Sequence, residues 1–456
     1  SCSLPNTPHY QRKSANIDSI VFEKGRKFKL IYSNLISKKR DGFNLKKSDV
    51  ELFFNGYLIG KVTDAQMSAM LMAIYFNGMD EEEIFSLVEV MLRSGKTLDF
   101  SDSKDFVADK HSTGGIGDKV SLILAPVIAG LGLKIPMIAG RGLGFTGGTI
   151  DKLECIPGFN TNPGIDNFIK WVSRSGYAVM SQSEEICPAD RRIYDLRSKT
   201  GTVASIPLIC GSIMSKKIAE GISGLVLDIK VGNGTFMKSK HKAIELGSWM
   251  KKIGEAFNIK TDIVYSNMNQ PLGNYAGLSC EVFEAIECLK GKGPNDLMEV
   301  TFELGSQLLL QSGAAKTLSE AIELQKNIID SGKALKIFEN SVETQGGRLN
   351  EFRAQSLPKY ESYVCPKNSG FIQKMDTESI GWHLVDMGCV LQNRDQKLDK
   401  TAGIEFLKKT GDRVHQDQPV FRVFCSNKDK INKVSKTLIN TLTIEEIAAQ
   451  KIQTII

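Results

Sequence analysis

Lys110, His111, Ser112, Ser121 and Thr149 stand in or beside two glycine-rich segments. The first reads Lys110-His111-Ser112-Thr113-Gly114-Gly115-Ile116-Gly117-Asp118, and the second runs from Gly140 through Gly142, Gly144, Gly147 and Gly148 to Thr149. Each leads into a helix-like pattern. Such turns gather several backbone N–H groups at one point, with the positive end of a helix behind them, which suits an oxyanion such as phosphate. Lys110 adds a charge, and Ser112, Ser121 and Thr149 add hydroxyl donors. Two loops aimed at one anion are a stronger signal than either alone. His111, one of five histidines, titrates near neutral pH and can donate a proton or a hydrogen bond at a reacting group.

Two familiar phosphate motifs fit these loops less well. Gly142-Leu143-Gly144-Phe145-Thr146-Gly147 satisfies GxGxxG, the run Leu133 to Ile138 precedes it as a strand would, and Asp166 stands where a ribose-binding acid could. Dinucleotide folds, however, usually open with one such loop. Here another lies one helix and one strand upstream, and Arg141 reads as buried beside the motif. A Walker loop is excluded, because GxxxxGK followed by Ser or Thr does not occur in this region.

These loops need elements to hold them. From Phe106 onward, candidate strands at 133–138, 177–181, 223–230 and 261–266 alternate with candidate helices at 119–131, 147–155, 164–174 and 240–257. That alternation predicts an α/β domain on a mixed, mainly parallel sheet. Upstream, Ser48-x-x-Glu51, Thr63-x-x-Gln66 and Asp80-x-x-Glu83 have the spacing of capping boxes. Met67, Met70, Leu71 and Ile74, then Ile84, Leu87, Val88 and Met91, repeat at helical spacing, and Gly95 suits a C-cap. A separate small all-helical part is predicted there, with a hinge at Ser94 to Ser103. Pro188 to Gly221 is helical again and interrupts the alternation. The chain turns loop-like from Ser341 to Asn350. Short runs at Ser362 to Cys365 and Val420 to Cys425 then predict a β-rich C-terminal part. Residues 1–34, polar and basic, read as an N-terminal extension.

At 456 residues, 41% hydrophobic and 24% charged, the chain can form two or three domains around large cores. A net charge of +6 without a long basic run suits anionic substrates and does not require nucleic acid as a partner. Nine cysteines without a CxxC pair read as reduced thiols, neither a disulfide framework nor a metal site. The chain shows no apolar run of membrane-spanning length and no signal-peptide core, so a soluble cytoplasmic enzyme is expected.

KHSTGGIGDK (110–119), AGRGLGFTGGTIDKLECIPGF (139–159), PADRRIYDLR (188–197), SIPLICGSIMSKK (205–217) and LDIKVGNGTFM (227–237) closely resemble the thymidine/pyrimidine-nucleoside phosphorylase family. The resemblance runs from about Leu35 to the C-terminus. It implies a homodimer that needs no organic cofactor and no metal, takes thymidine and inorganic phosphate, and binds neither nucleic acid nor membrane. It also implies a helical domain for base binding and dimerisation at 35–95 and 188–221, and a phosphate-binding α/β domain at 106–180 and 222–345. A C-terminal β-rich α+β part follows at 346–456.

Residue by residue, Lys110, Ser112, Ser121 and Thr149 match the family's phosphate contacts. Arg197, Ser212 and Lys216 match its base contacts. Ser212 and Lys216 lie four apart and share a helix face, Arg197 offers a planar fork for a carbonyl oxygen, and Ser212 can both donate and accept. His111 is the acid candidate, with Arg197 and Lys216 as catalytic partners. Leu143, Val203, Ile209, Ile213 and Phe236 match the apolar wall around base and sugar. Met137 stands where thymidine phosphorylases carry Met and uridine-accepting relatives carry Lys. The chain departs from the family at Ala139 (usually Ser), at Ser198 and Ala204 (usually Asp) and at Phe145 (usually His), where consequences for neighbouring contacts are expected. The rival readings are a phosphorylase that also accepts uridine, a phosphoribosyltransferase of related fold such as the anthranilate enzyme, and a non-catalytic binding or signalling protein. No cluster of metal-binding carboxylates accompanies the loops to favour the phosphoribosyltransferase.

Overall fold

The computed structural model describes residues 27–391 and 396–456. Four helices open it: α1 (Lys27–Arg40), α2 (Lys47–Leu58), α3 (Asp64–Asn77) and α4 (Glu81–Arg93). The capping pairs Thr63/Gln66 and Asp80/Glu83 form as the sequence predicts. The pair at Ser48 does not. That helix starts at Lys47 instead, where the Asp49 carboxylate accepts the Lys46 N–H at 3.2 Å. Gly95 is not a C-cap either. Ser94 ends α4, and Gly95 is tied to packing, since a Cβ there would come within 2.5 Å of the Glu185 carbonyl oxygen. The first helix begins inside the stretch read as an extension: buried Tyr32 packs edge-on against Phe53, so residues 27–34 belong to the helical part. Residues 1–26 of that extension lie outside the described residues.

The α/β part follows as β1 (Ala108–Ser112), α5 (Val120–Gly130), β2 (Ile135–Ala139), α6 (Thr149–Leu153), α7 (Ile165–Ser175) and β3 (Tyr177–Ser181). Then α8 (Pro188–Thr200) and α9 (Ile206–Ala219) return to pack on α3 and α4, which splits the helical part into two chain segments. The chain resumes with β4 (Gly224–Val231), α10 (Lys240–Ala256), β5 (Lys260–Asn267), β6 (Tyr275–Gly277), α11 (Ser279–Leu289), α12 (Asn295–Ser312), α13 (Leu318–Asp330), α14 (Lys333–Thr344) and α15 (Leu349–Gln355). Strands β1, β4 and β5 pair in parallel, as do β2 and β3, and a parallel bridge between Val107 and Lys134 links the two sets. Every residue of β3 and β4 is buried, as expected of parallel strands covered on both faces.

The C-terminal part adds β7 (Tyr360–Val364), β8 (Gly370–Met375), α16 (Thr377–Met387), β9 (Gly403–Phe406), β10 (Arg413–Val414), β11 (Phe421–Cys425), α17 (Lys428–Thr437) and β12 (Leu442–Glu445). Its antiparallel sheet has the order β6-β9-β11-β7, so a strand of the α/β part is stitched into it. Among the described residues no helix is long and apolar enough to cross a membrane.

A buried cluster of charge joins the helical part to the sheet. Lys217 near the end of α9 donates to Asp109 of β1 at 2.5 Å and to Glu220 at 2.6 Å, and all three side chains are without exposure. Glu220 in turn accepts the Ile138 N–H of β2 at 3.0 Å. Burial pushes the Glu220 carboxyl well above its ordinary range, against the pull of Lys217. Asp109 Oδ1 and Glu220 Oε2 have no other partner, so a proton held on Glu220 serves both carboxyls and leaves one positive and one negative charge in the cluster.

Removing Lys217 (Lys217→Met) would strand these carboxyls, and breaking a buried pair in this way costs about 3–5 kcal/mol, readable as a lowered urea midpoint. Glu220 gives the change a pH signature. A carboxyl with a raised folded pKa stabilises the fold fully below its unfolded value near 4.5, and that contribution is lost as pH rises through the folded value. Glu220→Gln should therefore gain on the parent by up to about 1.4 kcal/mol per pH unit as pH rises above the unfolded value. A difference that does not change with pH would contradict a proton on Glu220.

Candidate active site

The two glycine loops and the turn after β4 cluster at the C-terminal ends of parallel strands, where open α/β sheets bind ligands. Strand β1, which the sequence reading did not identify as a strand, carries Lys110 and His111 directly into the first loop. There Ser112 Oγ accepts the Gly114 N–H at 3.1 Å, and Thr113 bridges to β4 by donating its N–H to the Asp228 carbonyl and accepting the Lys230 N–H. Gly114 and Gly117 take φ of 87° and 76°, and a Cβ on Gly117 would sit 2.4 Å from the Leu272 carbonyl oxygen.

Buried lysines fasten this loop. Lys119, at its end, donates to the carbonyls of Leu272 (3.0 Å) and Tyr275 (2.8 Å) and to Glu284 (2.5 Å). Lys152 of α6 pairs with Glu281 at 2.6 Å and donates to the Asp118 carbonyl at 2.7 Å, tying the second loop to the first. In the second loop, Leu143 and Thr146 exchange two backbone hydrogen bonds around Gly144. Asp151 accepts the Gly142 N–H at 2.7 Å, and a Cβ on Gly148 would meet the Arg141 backbone at 2.3 Å. Arg141 is not buried as expected. It lies half-exposed on the outside of the loop, paired with Asp151 and Glu154.

Lys110 is buried, 3.3 Å from Ser121 Oγ and 3.8 Å from Asp118. Burial lowers its pKa, partly offset by Asp118 and Asp228. Burial would raise the Asp118 pKa, but Lys110 and Lys230 outweigh it and hold the carboxylate ionised. Thr149 opens α6 beside Gly148. The four predicted phosphate ligands thus lie at the end of β1, which enters the first loop, and in the first turns of α5 and α6, which follow the two loops.

On the other side, α9 presents Ile209, Ser212, Ile213 and Lys216 along one face. Lys216 donates to Ser212 Oγ at 2.9 Å and to Asp190 of α8 at 2.5 Å. Arg197 is buried and its fork is already engaged, donating to the carbonyls of Val203 (2.8 Å) in the α8–α9 connection and of Leu208 (3.0 Å) in the first turn of α9. Its Nε has no partner. Burial lowers the Arg197 pKa, countered by Asp190. Phe236, after β4, lies beside Gly144 of the second loop. Met137, in contrast, is sealed in the α/β core at 2% exposure, paired in register with Val179. Ser198 and Ala204 are exposed, and Ser198 Oγ donates to the Asp195 carbonyl.

His111, on β1, feels charges from both groups. Burial lowers its pKa well below 6.5, and the positive charges of Lys217, Lys216 and Lys110 lower it further, only partly opposed by Asp118. One imidazole therefore senses Lys216 of the helical side and Lys110 of the loop side, and it is neutral at pH 7. The partners missed by sequence reading are Asp190, Asp118, Lys119, Lys152 and the Lys217 cluster. Asp118 and Lys119 did stand inside a conspicuous motif. Among the described residues no group of three or more His, Cys, Asp or Glu is placed to hold a metal ion.

Three family models match the chain: the helical bundle domain of a glycosyl transferase family over residues 33–95, its a/b domain over 104–335, and a pyrimidine nucleoside phosphorylase C-terminal domain over 371–445. A pyrimidine-nucleoside phosphorylase of Staphylococcus haemolyticus is 41% identical over 415 residues, spanning 90% of this chain and 96% of the relative. That of Staphylococcus epidermidis is 42% identical with the same coverage. Among solved structures, the anthranilate phosphoribosyltransferase of Thermus thermophilus shares the fold at a TM-score of 0.55 and 17% identity, covering 68% of this chain and 99% of its own.

The electrostatics can be read without any ligand. Followed by NMR, the His111 imidazole should titrate well below the ordinary 6.5, and Lys216→Met should move it upward by removing one of the charges that depress it. A normal midpoint near 6.5 in the parent protein, or no response to Lys216→Met, would contradict this geometry.

Proposed function

The chain belongs to the pyrimidine-nucleoside phosphorylase family, and from that premise we propose that it is a thymidine phosphorylase, converting thymidine and phosphate to thymine and 2-deoxy-α-D-ribose 1-phosphate. The observation that most supports this reading is His111, within electrostatic reach of both Lys110 and Lys216.

In this reading phosphate occupies the two glycine loops, held by Lys110, Ser112, Ser121, Thr149 and loop N–H groups. Its negative charge favours the charged form of Lys110, offsetting the burial that depresses it. The pyrimidine lies along α9 against Ser212, Lys216 and the unpartnered Nε of Arg197, walled by Leu143, Val203, Ile209, Ile213 and Phe236. A phosphate oxygen bonds to the anomeric carbon as the bond to the base nitrogen breaks, through an oxocarbenium-like transition state. The electron pair leaves with the base and spreads onto its carbonyl oxygens. Lys216 and Arg197 stabilise that charge, and neutral His111 donates a hydrogen bond to the 2-carbonyl oxygen as it develops. Closure about residues 94–103 brings the reactants together and excludes water. No organic cofactor enters. Exposed apolar side chains on and beside α2 and α3, Leu52, Ile59, Tyr75 and Phe76, support pairing of two copies through the helical part.

Thymidine is preferred over uridine because Met137 stands where uridine-accepting members of the family carry Lys. That side chain is packed in the core and does not line the site, so the preference follows from the family resemblance at this position and not from a contact to the sugar. A ribose 2-hydroxyl left without a partner on closure costs roughly 1–3 kcal/mol. Phosphorolysis assays should accordingly give high kcat/KM for thymidine and deoxyuridine and a lower value for uridine, with no turnover when phosphate is omitted. Equal values for uridine and deoxyuridine would place the chain among uridine-accepting enzymes, and absence of any phosphate-dependent turnover would favour a binding protein.

A further inference from the structure

The C-terminal part reaches the candidate site through α16, and beyond that helix Val390 lies 3.1 Å from where a Cβ on Gly142 would stand. Residue Gly381 of α16 lies against both glycine loops: a Cβ there would come within 2.7 Å of Ile116 Cδ1 in the first loop, and within 2.8 Å of Phe145 Cδ2 and 2.9 Å of the Phe145 carbonyl oxygen in the second. Its neighbour Trp382 packs its ring 5.8 Å from that of Phe145, tilted by 51°. Phe145 is 4% exposed, and its ring also lies 5.7 Å from that of Phe236. The ring sequence Trp382–Phe145–Phe236 thus runs from the C-terminal part, through the tip of the second loop, to the turn after β4.

The same helix is anchored to that turn. Thr377 donates its N–H to Asn233 Oδ1 at 2.8 Å, Asn233 Nδ2 donates to the Met375 carbonyl at 3.0 Å, and Lys238 pairs with Glu378 at 2.5 Å. A Cβ on Gly234 would fall within 2.4 Å of Thr377 Cγ2, so the two backbones meet without a side chain between them. Every loop at the sheet's C-terminal edge that carries a proposed ligand is therefore backed by α16.

A phosphate site made of backbone N–H groups depends on the loop that aims them, and small misplacements are costly. Within the second loop, the Leu143–Thr146 turn, Asp151 on the Gly142 N–H and Arg141 on Asp151 and Glu154 hold the backbone. The aromatic side chain at its tip packs against two other rings, one of them Trp382, and so ties the loop to the C-terminal part. We propose that Gly381 and Trp382 are positioning residues for the phosphate loops, so that the C-terminal part sets the affinity for phosphate without touching it. This rests on the reading that these loops bind phosphate.

The test is calorimetric titration of the full-length protein with inorganic phosphate alone, supported by phosphorolysis kinetics and a thermal melt of each variant. Trp382 is 45% exposed, so Trp382→Ala should keep the fold. It should raise the phosphate Kd and the KM for phosphate several-fold, and more than the KM for thymidine. Trp382→Phe, which retains a ring against Phe145, should recover most of the loss, and Gly381→Ala should weaken phosphate at least as much as Trp382→Ala. An unchanged phosphate Kd in a folded Trp382→Ala variant, or no recovery in Trp382→Phe, overturns the inference while leaving the phosphate assignment intact. A parent protein that binds no phosphate overturns both.

Discussion

Lys217 is the ion on which the arrangement of the site depends. It stands one residue beyond Lys216 on α9 and reaches Asp109, one residue before Lys110 on β1. Glu220, bound to the same ammonium, holds the backbone of β2 at Ile138, between Met137 and Ala139. Lys216, proposed to bind the base, and Lys110, proposed to bind phosphate, are therefore each next in sequence to a member of one buried cluster. Buried ion pairs are poor sources of net stability, because desolvation consumes most of the Coulombic gain. Their contribution here is registration. An apolar contact could slide along α9, whereas an ammonium with two carboxyl partners has one place to sit.

The same economy recurs around the loops. Glycine gives each loop its sharp turns and close approaches but no rigidity, so buried cations supply the anchors: Lys119 on Glu284 and two carbonyls, Lys152 on Glu281 and Asp118. Lys110 differs in kind. Its carboxylate neighbour stands 3.8 Å away and burial disfavours its charge, so it is a cation short of a close anion. That contrast sets Lys110 apart from the loop anchors, and also from Lys216, which is paired with Asp190 at 2.5 Å.

Much of this was legible in the sequence where the signal is local. The caps at Thr63 and Asp80, the apolar stripes of α3 and α4, and the strands around 177–181 and 223–230 follow from short-range preferences and lie where the spacing puts them. Local signals also misled. Ser48 has a capping spacing, but the chain enters α2 two residues earlier, and Gly95 is glycine because of Glu185, ninety positions away in the chain. β1 was missed because its ADKHS pattern has no apolar run: in a strand buried on both faces, charged residues are tolerated only where α9 and the loop supply partners. Arg141 looked interior beside a glycine motif, yet it lies half-exposed, reaching in to buried Asp151 and across to Glu154 at the end of α6. Nothing in sequence spacing could reveal that Lys217 is fully buried or that Gly381 abuts both loops, since both depend on contacts between segments more than a hundred residues apart.

The central claim is that phosphate and pyrimidine bind on opposite sides of His111, on groups registered by Lys217. A crystal structure with phosphate and thymine bound tests it most directly. The account predicts phosphate within hydrogen-bond distance of Lys110, Ser112 and Thr149, thymine against Ser212, Lys216 and Arg197, and a His111 nitrogen facing the 2-carbonyl oxygen. Phosphate seated on Arg197 or Lys216, or thymine bound away from α9 with His111 touching neither ligand, would contradict it.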